Sequence, residues 1–114
     1  MLFILNRDSI SPEAAAELSQ VAERLQRCFA AARNLGVNMV VELHGYGDAI
    51  STDAENMELS RRRAEAVRNF LVEAGVESQK ISSLGKGTPP SPVAGEKGAG
   101  KLDRCVAFRI LIQP

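Results

Sequence analysis

The chain has no tryptophan, one tyrosine, one histidine and two cysteines among its 114 residues. Aromatics make up only 4%, which leaves little surface for stacking nucleobases and argues against single-stranded nucleic acid as a ligand. A lone His44 with no clustered cysteines supplies neither a zinc-ligand set nor a histidine-containing catalytic triad, so no metal and no cofactor is expected. An excess of charge is also lacking. Fourteen Lys and Arg offset fourteen Asp and Glu, so no long-range positive field draws in nucleic acid or anionic lipid. No apolar run approaches the roughly 20 residues of a membrane helix, and Met1-Leu2-Phe3-Ile4-Leu5 is too short for the core of a signal peptide. This segment is expected to insert into no membrane, though a longer secreted or anchored protein could carry it. Cys28 and Cys105 lack metal-type spacing and read as two small core residues. Sequence does not fix the Cα separation a disulfide would need.

A hydrophobic content of 45% and a charged content of 25% describe an ordinary globular domain, read as one unit over 1–114. Leu2 to Leu5 reads as a short strand. Ser11-Pro12-Glu13 then opens a helix: a capping hydroxyl, a proline whose missing N–H costs nothing there, and an acid at the positive end. Leu18, Val21, Leu25 and Ala32 continue at helical spacing to a stop at Gly36, giving a helix over about 11–35. Val37 to His44 is a strand with Met39, Val41 and Leu43 on one face and Asn38, Glu42 and His44 on the other. After a loop at 45–53, Thr52-Asp53-Ala54-Glu55 reads as a capping box for a second helix that runs to Ala74 and stops at Gly75. A short strand is expected near Lys80–Leu84. Residues 85–101 hold five of the nine glycines and form a loop. Val106, Phe108, Ile110 and Ile112 alternate in a final strand. The expected fold class is α+β: a two-layer βαβαββ sandwich with a mixed sheet of about four strands and two main helices on one face.

One charge is out of place in this pattern. At 100° per residue, Leu59, Ala66, Val67, Phe70 and Ala74 form an apolar stripe, Arg63 falls in its middle, and Asn56 lies seven positions before it. Arg61, Arg62 and Arg68 take the solvated side, with Glu58–Arg62 and Arg61–Glu65 at i,i+4 spacing. A guanidinium aimed at a core needs a partner, because an unpaired buried charge costs several kcal/mol. Asp48, just past the carboxyl end of the Val37–His44 strand, is the natural one, and such strand ends are common ligand sites in α/β sheets. Two readings of the pair stay open. It is either a plain helix-to-loop ion pair or a grip on a zwitterion, with Asp48 on an ammonium and Arg63 bidentate on a carboxylate.

Other patterns carry less. Gly95-Glu96-Lys97-Gly98-Ala99-Gly100-Lys101 has the spacing of a phosphate-binding loop, but Leu102 stands where Ser or Thr would hold magnesium and a strand follows instead of a helix. His44 and Glu42 read as a solvated pair, and Asp53 and Glu55 as helix-start acids. No two acids are placed as a catalytic carboxylate pair, so no enzyme is expected.

Gly45-Tyr46-Gly47-Asp48, eight residues to Asn56, then Leu59-Ser60-Arg61-Arg62-Arg63-Ala64 resembles the signature of OmpA-like peptidoglycan-binding domains. In that family the pattern is Gly-His-(Thr/Ala)-Asp, then Asn, then Leu-Ser-x-x-Arg-Ala. The likeness runs over about residues 1–112, including Gly85-Lys86-Gly87 with Pro92-Val93, and Asp103-Arg104-Cys105-Val106 where the family has Asn-Arg-Arg-Val. It implies non-catalytic binding of the diaminopimelate residue in peptidoglycan stem peptides. Asp48 and Arg63 would grip its amino-acid end, Asn56 would line the site or order the loop, and Gly47, Asp103 and Arg104 would complete the ligand-binding set. It also implies a periplasmic location within an outer-membrane or otherwise anchored envelope protein; a homodimer stays open. The chain departs from the pattern at Tyr46 for His, at Gly47, expected to loosen the backbone beside Asp48, at Ile4 for a polar residue, and at Asp103 and Cys105.

Overall fold

The structure, a computed structural model, describes residues 10–48, 52–88 and 106–113. Helix α1 spans Pro12–Leu35, strand β1 Asn38–Gly45, helix α2 Asp53–Glu73, strand β2 Ile81–Gly85 and strand β3 Val106–Gln113, with a 3-10 turn at Ser78–Lys80. The local signals act where they stand. Ser11 Oγ accepts from the Ala14 amide at 3.1 Å, and Gly36 closes α1 in the left-handed conformation at φ 74°. Thr52 Oγ1 caps α2 by accepting from the Glu55 amide at 3.2 Å, and its own proton goes to the Glu55 carboxylate. The strand expected at Leu2–Leu5 lies outside the described residues.

Among the described residues the sheet runs β2-β1-β3, with β1 parallel to β2 and antiparallel to β3. Central β1 alternates as its sequence requires: Met39, Val41 and Leu43 are buried, and Glu42 and His44 lie on the wetter face with His44 Nε2 3.1 Å from Glu42 Oε1. Both helices pack on the Met39–Val41–Leu43 side. Leu18, Ala22, Leu25 and Phe29 of α1 and Val67 and Leu71 of α2 meet those residues in one core, joined by Val76 and Ile81. Each fully buried side chain of this size contributes about 1.5–3 kcal/mol relative to exposure.

Several expectations are corrected. The buried stripe of α2 is Asn56, Leu59, Ser60, Arg63, Ala64, Val67 and Leu71, while Ala66 and Phe70 are half-buried and Ala74 is exposed. The helix is rotated so that its small residues, Ser60 and Ala64, meet the strand ends. Cys28 is exposed, because Leu25 and Phe29 already supply the inward positions of that turn of α1. Arg68 is no solvated charge. Its Nε donates to the Ile81 carbonyl and its Nη2 to the Ser78 carbonyl, both at 2.9 Å, fastening α2 to the turn before β2. On the outer side of α2, Arg61 pairs with both Glu58 and Glu65, and its hydrogen bond first, then its charge, holds the Glu58 carboxyl below the usual range.

β3 alternates as expected but is poorly covered. Phe108, Ile110 and Ile112 stand opposite Leu43, Val41 and Met39, on the helix side of the sheet, yet are 36%, 53% and 64% exposed. The described helices lie over β1 and β2 and leave β3 largely open.

Candidate functional site

The site is built on two glycines. Gly45 and Gly85 are register partners at the carboxyl ends of parallel β1 and β2. A Cβ on Gly45 would come 2.1 Å from the Ser60 carbonyl oxygen and 3.1 Å from Ala64 Cβ, and one on Gly85 would come 2.8 Å from the Arg61 amide nitrogen. With no side chains in between, α2 sits directly on the strand ends. Arg63, one turn beyond Ser60, is thereby delivered to the segment leaving β1. Its Nη1 donates to the Tyr46 carbonyl at 3.0 Å and lies 3.0 Å from Asp48 Oδ1.

The opposite charges converge as the sequence requires, but they are not open to solvent: both side chains are 0% exposed. The inward placement expected for Arg63 is therefore met, and Asp48 is enclosed with it, since the close seating of α2 leaves the guanidinium against strand-end backbone. Taking two charges out of water is costly and is offset only by good geometry and further hydrogen bonds, here including the Tyr46 carbonyl. Being enclosed, the pair is far less screened by salt than a surface bridge.

Asn56 orders the loop that carries Asp48. Its Oδ1 accepts from the Asp48 amide at 2.8 Å, and its Nδ2 donates to the Asp48 carbonyl at 2.7 Å and to Thr88 Oγ1 at 3.2 Å. Both backbone groups of one residue are thus held by one carboxamide. Thr88 in turn donates to Asp53, giving that helix-start acid a second role. Gly47 is packed against this carboxamide, and a Cβ there would come 2.1 Å from Asn56 Oδ1. Glycine therefore admits close approach here instead of loosening the backbone. Asn56→Ala would strand buried donor and acceptor groups and is expected to cost about 2 kcal/mol, read from the midpoint of urea unfolding.

The structure brings together Asp48, Arg63, Asn56 and Gly47, and Asp103 and Arg104 lie outside the described residues. The sequence offered Ser60 and Gly87 as members of the quoted motifs without a role, and Thr88 not at all. The glycines ending both strands, Gly45 and Gly85, were the available signal, because paired glycines at strand ends announce a close helix.

Residues 2–102 match the model of the OmpA family. Outer membrane protein A of Bordetella avium is 34% identical over 97 residues, covering 85% of this chain and 45% of that protein. Outer membrane protein A of Escherichia coli O157:H7 is 38% identical over 97 residues, covering 83% of this chain and 25% of that protein. The chain therefore spans less than half the length of these relatives. Among solved structures, the peptidoglycan-associated lipoprotein from Burkholderia pseudomallei superposes with a TM-score of 0.70 at 22% identity, over 98% of this chain and 87% of that one. The C-terminal domain of Helicobacter pylori MotB gives a TM-score of 0.74 at 17% identity, over 96% and 80%. These likenesses establish the shared α+β fold.

Proposed function

The chain belongs to the OmpA family, and from that premise we propose that it binds peptidoglycan non-covalently, without catalysis, through the diaminopimelate residue of the stem peptide. The observation that supports this reading is the Asp48–Arg63 ion pair at the end of the central strand. An amino-acid terminus carries one ammonium and one carboxylate. Each could replace one member of the pair: Asp48 would take the ammonium, and Arg63 the carboxylate in its bidentate fork. No charge would be left unmatched by the exchange. Because an existing ion pair must open first, affinity for a single stem is modest, and a polymer of repeated stems raises it through multivalency. In this reading the chain works in the periplasm as one domain, 1–114, of an outer-membrane or otherwise anchored envelope protein.

A second reading rests on a specific observation. Both charges are fully enclosed, as suits a pair that only holds the loop 46–48 to α2. The chain would then be a protein-interaction or assembly module that keeps the fold without the ligand.

Retention on purified sacculi separates the two. A lysine-containing stem offers the ammonium but no carboxylate, so Arg63 would lose its partner and binding should fall at least about tenfold relative to a diaminopimelate wall. Equal retention on both wall types removes the diaminopimelate assignment. Absence of retention on either leaves the assembly reading in place.

A further inference from the structure

Ser60 lies one helical turn before Arg63, and its side chain is fully buried. Its hydroxyl is used in both senses: Oγ donates to the Met57 carbonyl and accepts from the Gly87 amide, each at 2.9 Å. Gly87 is held at a φ of 79°, which favours glycine, and its carbonyl accepts from the Gly47 amide at 2.8 Å. The Lys86 amide donates to the Gly45 carbonyl at 2.9 Å, so the segments leaving β1 and β2 stay paired beyond the ladder. A chain of hydrogen bonds therefore runs from Ser60 through Gly87 to Gly47, and Asp48 follows directly. A Cβ on Gly85 would come 2.8 Å from Ser60 Oγ, and Met57 lies close over Gly87, which boxes in the hydroxyl and its acceptor geometry.

We infer that Ser60 is a positioning residue for the Asp48–Arg63 site, setting the position of the Asp48 carboxylate through Gly87 and Gly47. The inference rests on the peptidoglycan reading only for its effect on affinity. The effect on Asp48 itself follows from the hydrogen bonds. Asn56 holds the backbone of Asp48 directly, while Ser60, on the same helix, acts through Gly87 of the segment leaving β2 on the adjoining Gly47. Without the hydroxyl, the buried Gly87 amide loses its acceptor, and the 86–88 segment is free to withdraw from Gly47.

The test compares Ser60→Ala and Ser60→Cys in the full chain with Phe29→Leu, a core truncation in α1 that controls for plain destabilisation. In the ligand-free protein, Ser60→Ala should shift the Gly47, Asp48 and Gly87 amide resonances and the Arg63 side-chain resonance, leaving those of α1 in place. Ser60→Cys, which keeps a weak acceptor, should shift them less and carries the test if the alanine variant fails to fold. Diaminopimelate-containing stem peptide should then bind Ser60→Ala about tenfold more weakly, while Phe29→Leu retains the parent affinity. Unmoved Gly47 and Asp48 resonances overturn the inference, whatever the peptide does. Equal affinity losses in Ser60→Ala and Phe29→Leu overturn it as well. If the parent chain binds no peptide, the functional reading falls, and the resonances alone decide the role of Ser60.

Discussion

Arg63→Ala is expected to lower the free energy of unfolding by about 3–5 kcal/mol, the cost of leaving a buried charge without its partner. The carboxylate of Asp48 would remain enclosed opposite a void, and the Tyr46 carbonyl would lose its donor. The pair itself contributes less than this loss suggests, because its desolvation cost offsets much of its attraction. The double variant Asp48→Asn with Arg63→Met, which fills the volume without charge, should therefore recover most of the lost stability. A urea-unfolding cycle over the parent, Asp48→Asn, Arg63→Met and the double variant measures the coupling. A loss below about 1 kcal/mol in the single variant would mean that water reaches the pair, as in a surface bridge. Binding assays have to respect this result. A fall in wall retention in Arg63→Ala reports on the site only at temperatures where the variant is still folded.

Gly45→Ala is expected to be similarly severe. Its new Cβ would stand 2.1 Å from the Ser60 carbonyl oxygen and about as close to Ala64 as the helix backbone permits, at 3.0 Å from its nitrogen. Those are main-chain atoms, so no rotamer change relieves the overlap, and α2 must lift from β1. The expected cost is about 3 kcal/mol, at the upper end for overpacking, and the melting temperature should fall by more than about 10 °C. Because lifting α2 also carries Arg63 away from Asp48, the Arg63 side-chain resonance should move together with the loss of stability. A variant with an unchanged melting temperature would contradict the close seating of the helix.

Much of this was legible in the residues. Ser11-Pro12 and Gly36 mark the ends of α1 because caps are local: a hydroxyl three residues from the amide it serves needs no information from elsewhere in the chain. Arg63 stood out as a charge on an apolar face, and Asp48 as the acid at a strand end; the two do meet. The rotation of α2 was not legible. It is set by Gly45 and Gly85 lying against Ser60 and Ala64, a contact between segments distant in sequence, and periodicity alone ranks Phe70 above Ser60 for the inward position. Arg68 misled for the same reason, since its partners are backbone carbonyls that no residue type announces. Alternation assigned Phe108, Ile110 and Ile112 to one face of β3, but period two says nothing about whether a helix will reach that face.

The middle position of β1 has a mechanical consequence. Among the described residues, Asp48 continues from the strand that is bonded on both flanks, to β2 on one side and β3 on the other. Tension entering at Asp48 along the axis of that strand would pull on two ladders lengthwise at once, so their bonds would bear the load in concert instead of peeling away one after another. Arg68 adds a third strut by fastening the neighbouring strand's approach to the helix above. If the chain holds a wall polymer as proposed, that load would enter a strand flanked on both sides and not a lone edge.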